Sequence, residues 1–249
     1  MLSLVGLGVA YDITLEGLSE AKKSDELYLE SYTMPMEEKE ISRLEKIAGR
    51  KFMRLPRDKV ESKFLVERAK ENKVCLLVVG DPLSATTHAA LLIDAKKAGI
   101  PVRVIHNSSI LSAAPGKSGL QPYRFGKTVT LAYWRKNYEP VSPLQLIEQN
   151  LSMGMHTLLL LDLDPLLGPM DARAALDQLD RMEKKYGKKV FSELVVLSRV
   201  GHPDEKISFG TRASLKKKNL GKPPSCFCIP AKLHPVEEEC LSLLKPPSF

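Results

Sequence analysis

The sequence predicts an α/β protein built from two domains. Three observations carry the prediction. Apolar runs of strand length alternate with amphipathic helical stretches along the whole chain. Two of these runs, Val74–Val79 and Thr157–Asp162, are apolar almost throughout, as strands covered on both faces are. Between them lies Ser112–Gln121, SAAPGKSGLQ, where proline, glycine and serine concentrate as in a linker. The 249 residues suffice for two domains, each with its own core. The expected domains are therefore 1–115 and 122–249, each with a largely parallel sheet.

The elements follow in order. Leu2–Val5 is a short apolar run closed by Gly6 and reads as a buried strand. Ile13–Lys23 has near-helical spacing at Ile13, Leu15, Leu18 and Ala21. Leu27–Tyr32 alternates like a strand, and Met36–Ala48 is a charged amphipathic helix stopped by Gly49. Lys51–Leu55 is a strand, and beyond Pro56 a helix carries Val60, Phe64, Leu65 and Ala69. Val74–Val79 is the first dry strand, Thr86–Ala98 a helix ended by Gly99, and Pro101–Ile105 a strand. After the linker the pattern restarts with the alternating stretch Thr128–Trp134. A helix opens at Ser142-Pro143, where proline suits the first turn. Thr157–Asp162 is the second dry strand, and Pro169–Lys185 an amphipathic helix. Leu194–Ser198, Lys206–Phe209 and Cys226–Pro230 read as strands, Val236–Leu244 as a final helix, and Lys245–Phe249 as a frayed tail.

Composition excludes several classes. With 43% hydrophobic and 27% charged residues the chain is that of a soluble globular protein, not a disordered one. A net charge of +7 favours encounter with an acidic macromolecule but falls short of a dedicated nucleic-acid binder. Four scattered cysteines make no disulfide framework, and Cys75 reads as a buried free thiol. Cys226 and Cys228 share one strand face, but no second pair with ligand spacing exists, so no metal is expected. The start MLSLVGLGVAYD lacks a basic segment and is broken by glycines, which is a poor signal peptide. No apolar run reaches membrane length. A reduced, cytoplasmic protein is expected.

In open α/β sheets ligands bind beyond the carboxyl ends of strands. Four such places stand out. Gly6-Leu7-Gly8-Val9 lets backbone approach a ligand, although a tight structural turn explains it as well; Tyr11 replaces the last glycine of a dinucleotide motif. Gly80-Asp81-Pro82-Leu83-Ser84 sets a carboxylate directly after a dry strand, placed for ligand hydroxyls or an amino group. If Asp81 serves a ligand, Asp81→Ala weakens binding and leaves the fold intact; if it caps a turn, the reverse holds. His106-Asn107-Ser108-Ser109-Ile110 is small and polar after a strand, suited to a ligand or to a helix cap. Leu161-Asp162 and Ser198-Arg199-Val200-Gly201 end strands of the second half and offer apolar and backbone groups to an adenine ring. No phosphate-binding loop and no nucleophile elbow is present, and the five histidines show no paired-ligand spacing.

The segments GLG, DITLEGL, YLESYT, VVGDPLSATTH, VIHNSSI, GLQPYRFGKT, GMHTLLLLD, LSRVG and AKLHPVE occur in the order seen in the diphthine synthase family, which the chain resembles over nearly its whole length. The resemblance implies the tetrapyrrole methylase-like fold, two α/β domains with a cofactor cleft between them, in a homodimer. It implies S-adenosylmethionine as cofactor, contacted by Val9, Asp81, Ser84, Ser109 and Ile110 in the first domain and by Leu161, Val200 and Ser225 in the second. Members of the family often carry a histidine where this chain has Ser225. The implied substrate is translation elongation factor 2, whose modified histidine bears a 3-amino-3-carboxypropyl group. The amine of that group is methylated on the way to diphthamide, giving a trimethylammonium in the archaeal pattern and a further carboxylate methyl in eukaryotic relatives. No side chain is singled out as a general base. Two other readings stay open at this point: a tetrapyrrole or RNA methyltransferase of the same fold, and a basic binding module without activity.

Overall fold

The computed structural model describes residues 1–30, 32, 36–164 and 166–244. Ser31 and Thr33 of the YLESYT segment and the tail Lys245–Phe249 lie outside the described residues. The chain forms two compact units, Met1–Ile110 and Leu111–Phe249.

The first unit contains β1 (Leu2–Gly6), α1 (Leu15–Lys23), β2 (Glu26–Glu30), α2 (Glu38–Ala48), β3 (Met53–Leu55), α3 (Arg57–Val60), α4 (Phe64–Glu71), β4 (Val74–Val78), α5 (Ala89–Lys97) and β5 (Val102–Ile105). The strands pair in the order β3-β2-β4-β1-β5, every pair parallel. All five carboxyl ends therefore meet one edge. Successive residues of β1 and β4 point to opposite faces, and both faces are dry. Leu2, Leu4, Leu76 and Val78 pack with α4 and α5 residues such as Leu65 and Leu91. Val5, Cys75 and Leu77 pack with Ala21 of α1 and Ile41 and Leu44 of α2. This double cover explains why the strands carry no polar alternation. The single helix expected after Pro56 is two, broken between Glu61 and Lys63.

The second unit contains most of α6 (Ile110–Ser118), then β6 (Val129–Leu131), α7 (Ser142–Ser152), β7 (Thr157–Leu161), the two-residue strands β8 (Leu163–Asp164) and β9 (Gly168–Pro169), α8 (Ala172–Tyr186), β10 (Glu193–Ser198), β11 (Lys206–Thr211), α9 (Arg212–Leu215), β12 (Ser225–Ile229) and α10 (Pro235–Leu243). Its main sheet runs β11-β10-β12-β7-β6. Only β6 and β7 are parallel; the other three pairs are antiparallel. The expectation of a largely parallel second sheet is thus corrected. The connection Arg199–Glu205 is too short for a helical crossover, so β10 and β11 must form a hairpin.

The segment read as a linker is also different. Most of it forms α6, with Ala114, Pro115 and Ser118 buried. Its small residues serve close packing: a Cβ on Gly119 would lie 2.8 Å from the Cβ of Cys240. The division of the chain falls at 110/111, in the first turn of this helix. Among the described residues no helix is long and apolar enough to cross a membrane.

Candidate active site

The carboxyl edge of the first sheet is built around two glycines. Beyond β1 the chain turns through Gly8 at φ 62°, and Gly80 follows β4 at φ 76°. Gly8 N donates to Gly80 O at 3.0 Å and Gly80 N to Gly8 O at 3.1 Å. Gly6 lies so close that a Cβ there would sit 2.7 Å from Gly80 O and 2.9 Å from the Asn107 Cβ. Asn107 Nδ2 donates to Gly6 O at 3.0 Å, and Val9 N donates to Ser108 Oγ at 3.1 Å. The loops after β1, β4 and β5 thus hold one another.

Asp81 is the junction. Its Oδ1 accepts from Leu83 N at 3.0 Å and from Ser84 Oγ at 3.1 Å. Its Oδ2 pairs with His106 Nδ1 at 2.7 Å and accepts from Asn107 N at 3.4 Å. Burial by itself raises the carboxyl's pKa, but the Leu83 amide, His106 and Ser84 outweigh it and hold the group below its ordinary value. A carboxylate with these four contacts ties the loop after β4 to the loop after β5. Of the other sites expected in this unit, Ser84 donates to Asp81, Ser109 follows Ser108 half-buried, and Ile110 opens α6.

Behind the Asp81 loop lies a buried ion pair. His88 Nε2 is 3.0 Å from Glu30 Oε2 at the end of β2, both side chains being almost fully enclosed. His88 Nδ1 is 3.0 Å from Pro82 O, which only an N–H can satisfy. Thr86 Oγ1 lies 2.9 Å from the same Nδ1, and the Tyr32 hydroxyl 3.4 Å from Nε2. The pKa of His88 is raised: burial lowers it, and the bond and charge of Glu30 more than reverse this.

The second unit gathers its expected residues at one edge as well. Register pairs Leu161 with Leu131, Cys226 with Leu160, and Ser198 with Ser225. Leu161, Val200 and Ser225 therefore share the edge at which β6, β7 and β10 end and β12 begins. Ser225 Oγ shares a hydrogen bond with Ser198 Oγ at 2.7 Å. Arg199 N donates to Pro224 O at 2.9 Å, which seats the buried Val200 beside that pair. Asp162, one residue beyond β7, accepts from Tyr133 N at 2.9 Å through Oδ2.

Backbone strain marks the same loops. Among the described residues the non-glycine residues with positive φ are Tyr11, Ala85, Asn137 and Arg199. For Tyr, Ala and Arg this region costs energy and persists only where the surroundings impose it. Tyr11 lies two residues after Val9, Ala85 directly after Ser84, and Arg199 directly before Val200. Asn137 belongs to a hairpin beside Asp162 that sequence reasoning passed over. Its cue is the run Tyr133-Trp134-Arg135-Lys136-Asn137-Tyr138, where cations and aromatics follow a strand.

Comparison with known proteins matches residues 1–216 to the family of tetrapyrrole (corrin/porphyrin) methylases. Diphthine synthase of Methanothermobacter thermautotrophicus is 40% identical over 248 residues, covering 97% of this chain and 94% of the relative. The chain belongs to the diphthine synthase family of tetrapyrrole methylases. An Arabidopsis thaliana relative named "Probable diphthine methyl ester synthase" is 37% identical, with 98% of each chain covered. A crystal structure of diphthine synthase superposes with a TM-score of 0.87 at 36% identity, covering 98% of this chain and 95% of the other. The protein is a methyltransferase, and its fold is that of the diphthine synthases. Family membership sets aside the reading as a binding module.

Proposed function

We propose that this methyltransferase uses S-adenosylmethionine to methylate the amine of 3-amino-3-carboxypropyl-histidine on elongation factor 2, in diphthamide biosynthesis. The observation that supports it is likeness over the full length to proteins named diphthine synthase. We further propose Val9, Asp81, Ser84, Ser109, Ile110, Leu161, Val200 and Ser225 as the cofactor contacts, and a cytoplasmic homodimer as the working form. The residues present suit that cofactor. Half-buried Val9, Ile110 and Leu161 offer apolar surface, Ser84 and Ser109 offer hydroxyls, and Asp81 offers a fixed carboxylate. A Cβ on Gly80 would meet nothing within 4 Å, so space is open beside that residue, whereas one on Gly8 would meet the Asp12, Ser108 and Asn107 side chains.

When bound, the cofactor supplies a methyl group already activated on a sulfonium. The protein's task is then alignment and exclusion of water rather than acid–base chemistry. An α-amino group with a pKa of about 8 is partly neutral at pH 7 and attacks once desolvated. Within the first unit the bonds of Asp81 tie the loops after β4 and β5 together, and Ala85 there, like Arg199 in the second unit, is held at a positive φ that its surroundings must impose. The test is transfer of labelled methyl to elongation factor 2 carrying the precursor residue, with tRNA and a corrinoid as controls. Labelling of tRNA or corrinoid in preference to the protein overturns the assignment, and so does absence of S-adenosylhomocysteine binding at micromolar concentration. Mass spectrometry of the product separates a trimethylated amine from a methyl ester, the product class named for the Arabidopsis relative.

A further inference from the structure

A cavity of about 380 Å³ opens beside Asp162 at the active edge of the second unit, lined by Ala132, Tyr133, Arg135, Lys136, Tyr138 and Asp162. It is held in shape. Arg135 and Tyr138 close a tight hairpin by reciprocal backbone bonds of 3.0 and 2.9 Å. Gln178 of α8 fastens the strand leading into it, accepting from Trp134 N at 3.1 Å and donating to Ala132 O at 2.7 Å. The Trp134 indole donates to Pro140 O at 3.1 Å on the far side of the hairpin.

The charges in the cavity are not equivalent. Arg135 is paired with Asp164, whose Oδ1 already accepts from Leu166 N and Leu167 N. Those two groups satisfy each other. Asp162 uses Oδ2 for the Tyr133 amide, and its Oδ1 has no hydrogen-bond partner among the described residues. The Lys136 ammonium likewise has no carboxylate partner among the described residues. One fixed anion and one cation therefore face the cavity with two phenol rings. The field at Tyr133 is negative: burial raises its pKa, and the charges of Asp162, Asp164 and Asp171 raise it further.

We propose that this cavity binds an α-amino-acid head group as a zwitterion, that of the protein substrate, with Lys136 pairing with the carboxylate and Asp162 and the rings of Tyr133 and Tyr138 receiving the amine. The proposal rests on the function put forward above and deepens it. Repeated methylation asks for a site that holds an amine as its hydrogen-bond donors are lost. Before each transfer the ammonium gives a proton to solvent, and the neutral amine takes the methyl as the sulfonium's S–CH3 bond breaks. The alkylammonium so formed is again attracted by the carboxylate, and aromatic faces favour the quaternary form most. A pocket of hydrogen-bond acceptors alone would lose its ligand before the last transfer. Leu161, proposed as a cofactor contact, directly precedes Asp162 in the chain.

S-adenosylmethionine carries the same head-group chemistry, so the test separates the two sources. The variants are Lys136→Met and Tyr138→Ala, both at exposed positions, with folding checked by thermal unfolding. The expected result is a rise of about tenfold in KM for modified elongation factor 2, the usual effect of removing one charge-assisted contact, with S-adenosylhomocysteine affinity unchanged. Unchanged KM overturns the proposal, and so does a loss confined to S-adenosylhomocysteine affinity, which would give the pocket to the cofactor. A second measurement needs no methyl transfer. Titration of the wild type with 2-(trimethylammonio)butanoate should shift the Tyr133 and Tyr138 ring resonances, and both variants should abolish the shift. Absence of a shift in protein that binds S-adenosylhomocysteine also overturns it. Failure of the wild type to methylate elongation factor 2 refutes the proposed function instead, and the titration still decides the pocket.

Discussion

Asp81 shows how a residue read as a ligand contact is also part of the frame. Removing its carboxylate takes the acceptor from the Leu83 amide, while the exposed His106 ring turns to water, a cost of about 0.5–1.5 kcal/mol. Asp81→Ala is therefore expected to lower the denaturant midpoint as well as the S-adenosylhomocysteine affinity measured by calorimetry. An unchanged midpoint would show that His106 and Asn107 find other partners. Two of the buried histidines, His88 and His156, make opposite contributions to pH dependence. His88, facing Glu30, Tyr32 and Glu61, has a raised pKa. Its stabilisation is complete below the unfolded value of about 6.5 and is lost as pH rises through the folded value. His156 takes the Ala231 amide on Nδ1 and donates from Nε2 to Glu237 at 2.9 Å, so it is neutral. Burial depresses its pKa against the pull of Glu237, so its stabilisation is present above about 6.5 and fades as pH falls toward the folded value. In unfolding scans across pH, His88→Gln should flatten the alkaline side of the stability profile and His156→Gln the acid side. Identical slopes in wild type and variants would disprove the assignment.

At the scale of elements, the turn after β1 depends on the absence of a side chain at Gly6. A Cβ there meets Gly80 O, the Asn107 Cβ and the Pro82 Cδ at 3.0 Å or less, and two of those three atoms lie in segments that cannot swing aside. Gly6→Ala is expected to cost about 1–3 kcal/mol by overpacking and to loosen all three loops, visible as weakened S-adenosylhomocysteine binding. Helix α8 gives a contrasting case away from the site. Its N-cap Asp171 accepts from Arg173 N at 2.8 Å and Ala174 N at 3.3 Å, and Gly187 ends the helix at φ 75°. Asp171→Ala should cost about 1 kcal/mol in thermal or chemical unfolding and leave KM for the protein substrate unchanged. The sequence places this helix at Pro169–Lys185 against Ala172–Tyr186 in the structure, because periodicity marks the apolar face and not the cap. Helix α6 is hidden in the sequence, because its composition of Pro, Gly and Ser signals a break when read alone. In the folded chain the same small residues let it approach its neighbours closely.

For the whole molecule, each unit has its own apolar core, and the proposed cofactor contacts are divided between the units. A ligand that binds only the folded form stabilises it by mass action, by about 2.7 kcal/mol at a hundredfold excess over Kd. S-adenosylhomocysteine should therefore raise the unfolding temperature of the full chain, and Ser84→Ala with Val200→Asp should erase the increase. A net charge of +7 also predicts that kcat/KM for an acidic protein substrate falls as salt is added.

Sequence by itself determined the α/β class, most strand and helix cores, and the strand ends at which the proposed contacts lie. Periodicity, caps and dry strands such as Val74–Val78 are written in neighbouring residues. Only the tertiary structure decided the antiparallel pairing of β10, β11 and β12, the fourfold bonding of Asp81, and the ion pair of His88 with Glu30. It alone revealed the pocket beside Asp162. These features join residues far apart in the chain, and their free energy comes from burial and desolvation that exist only once the sheets have assembled.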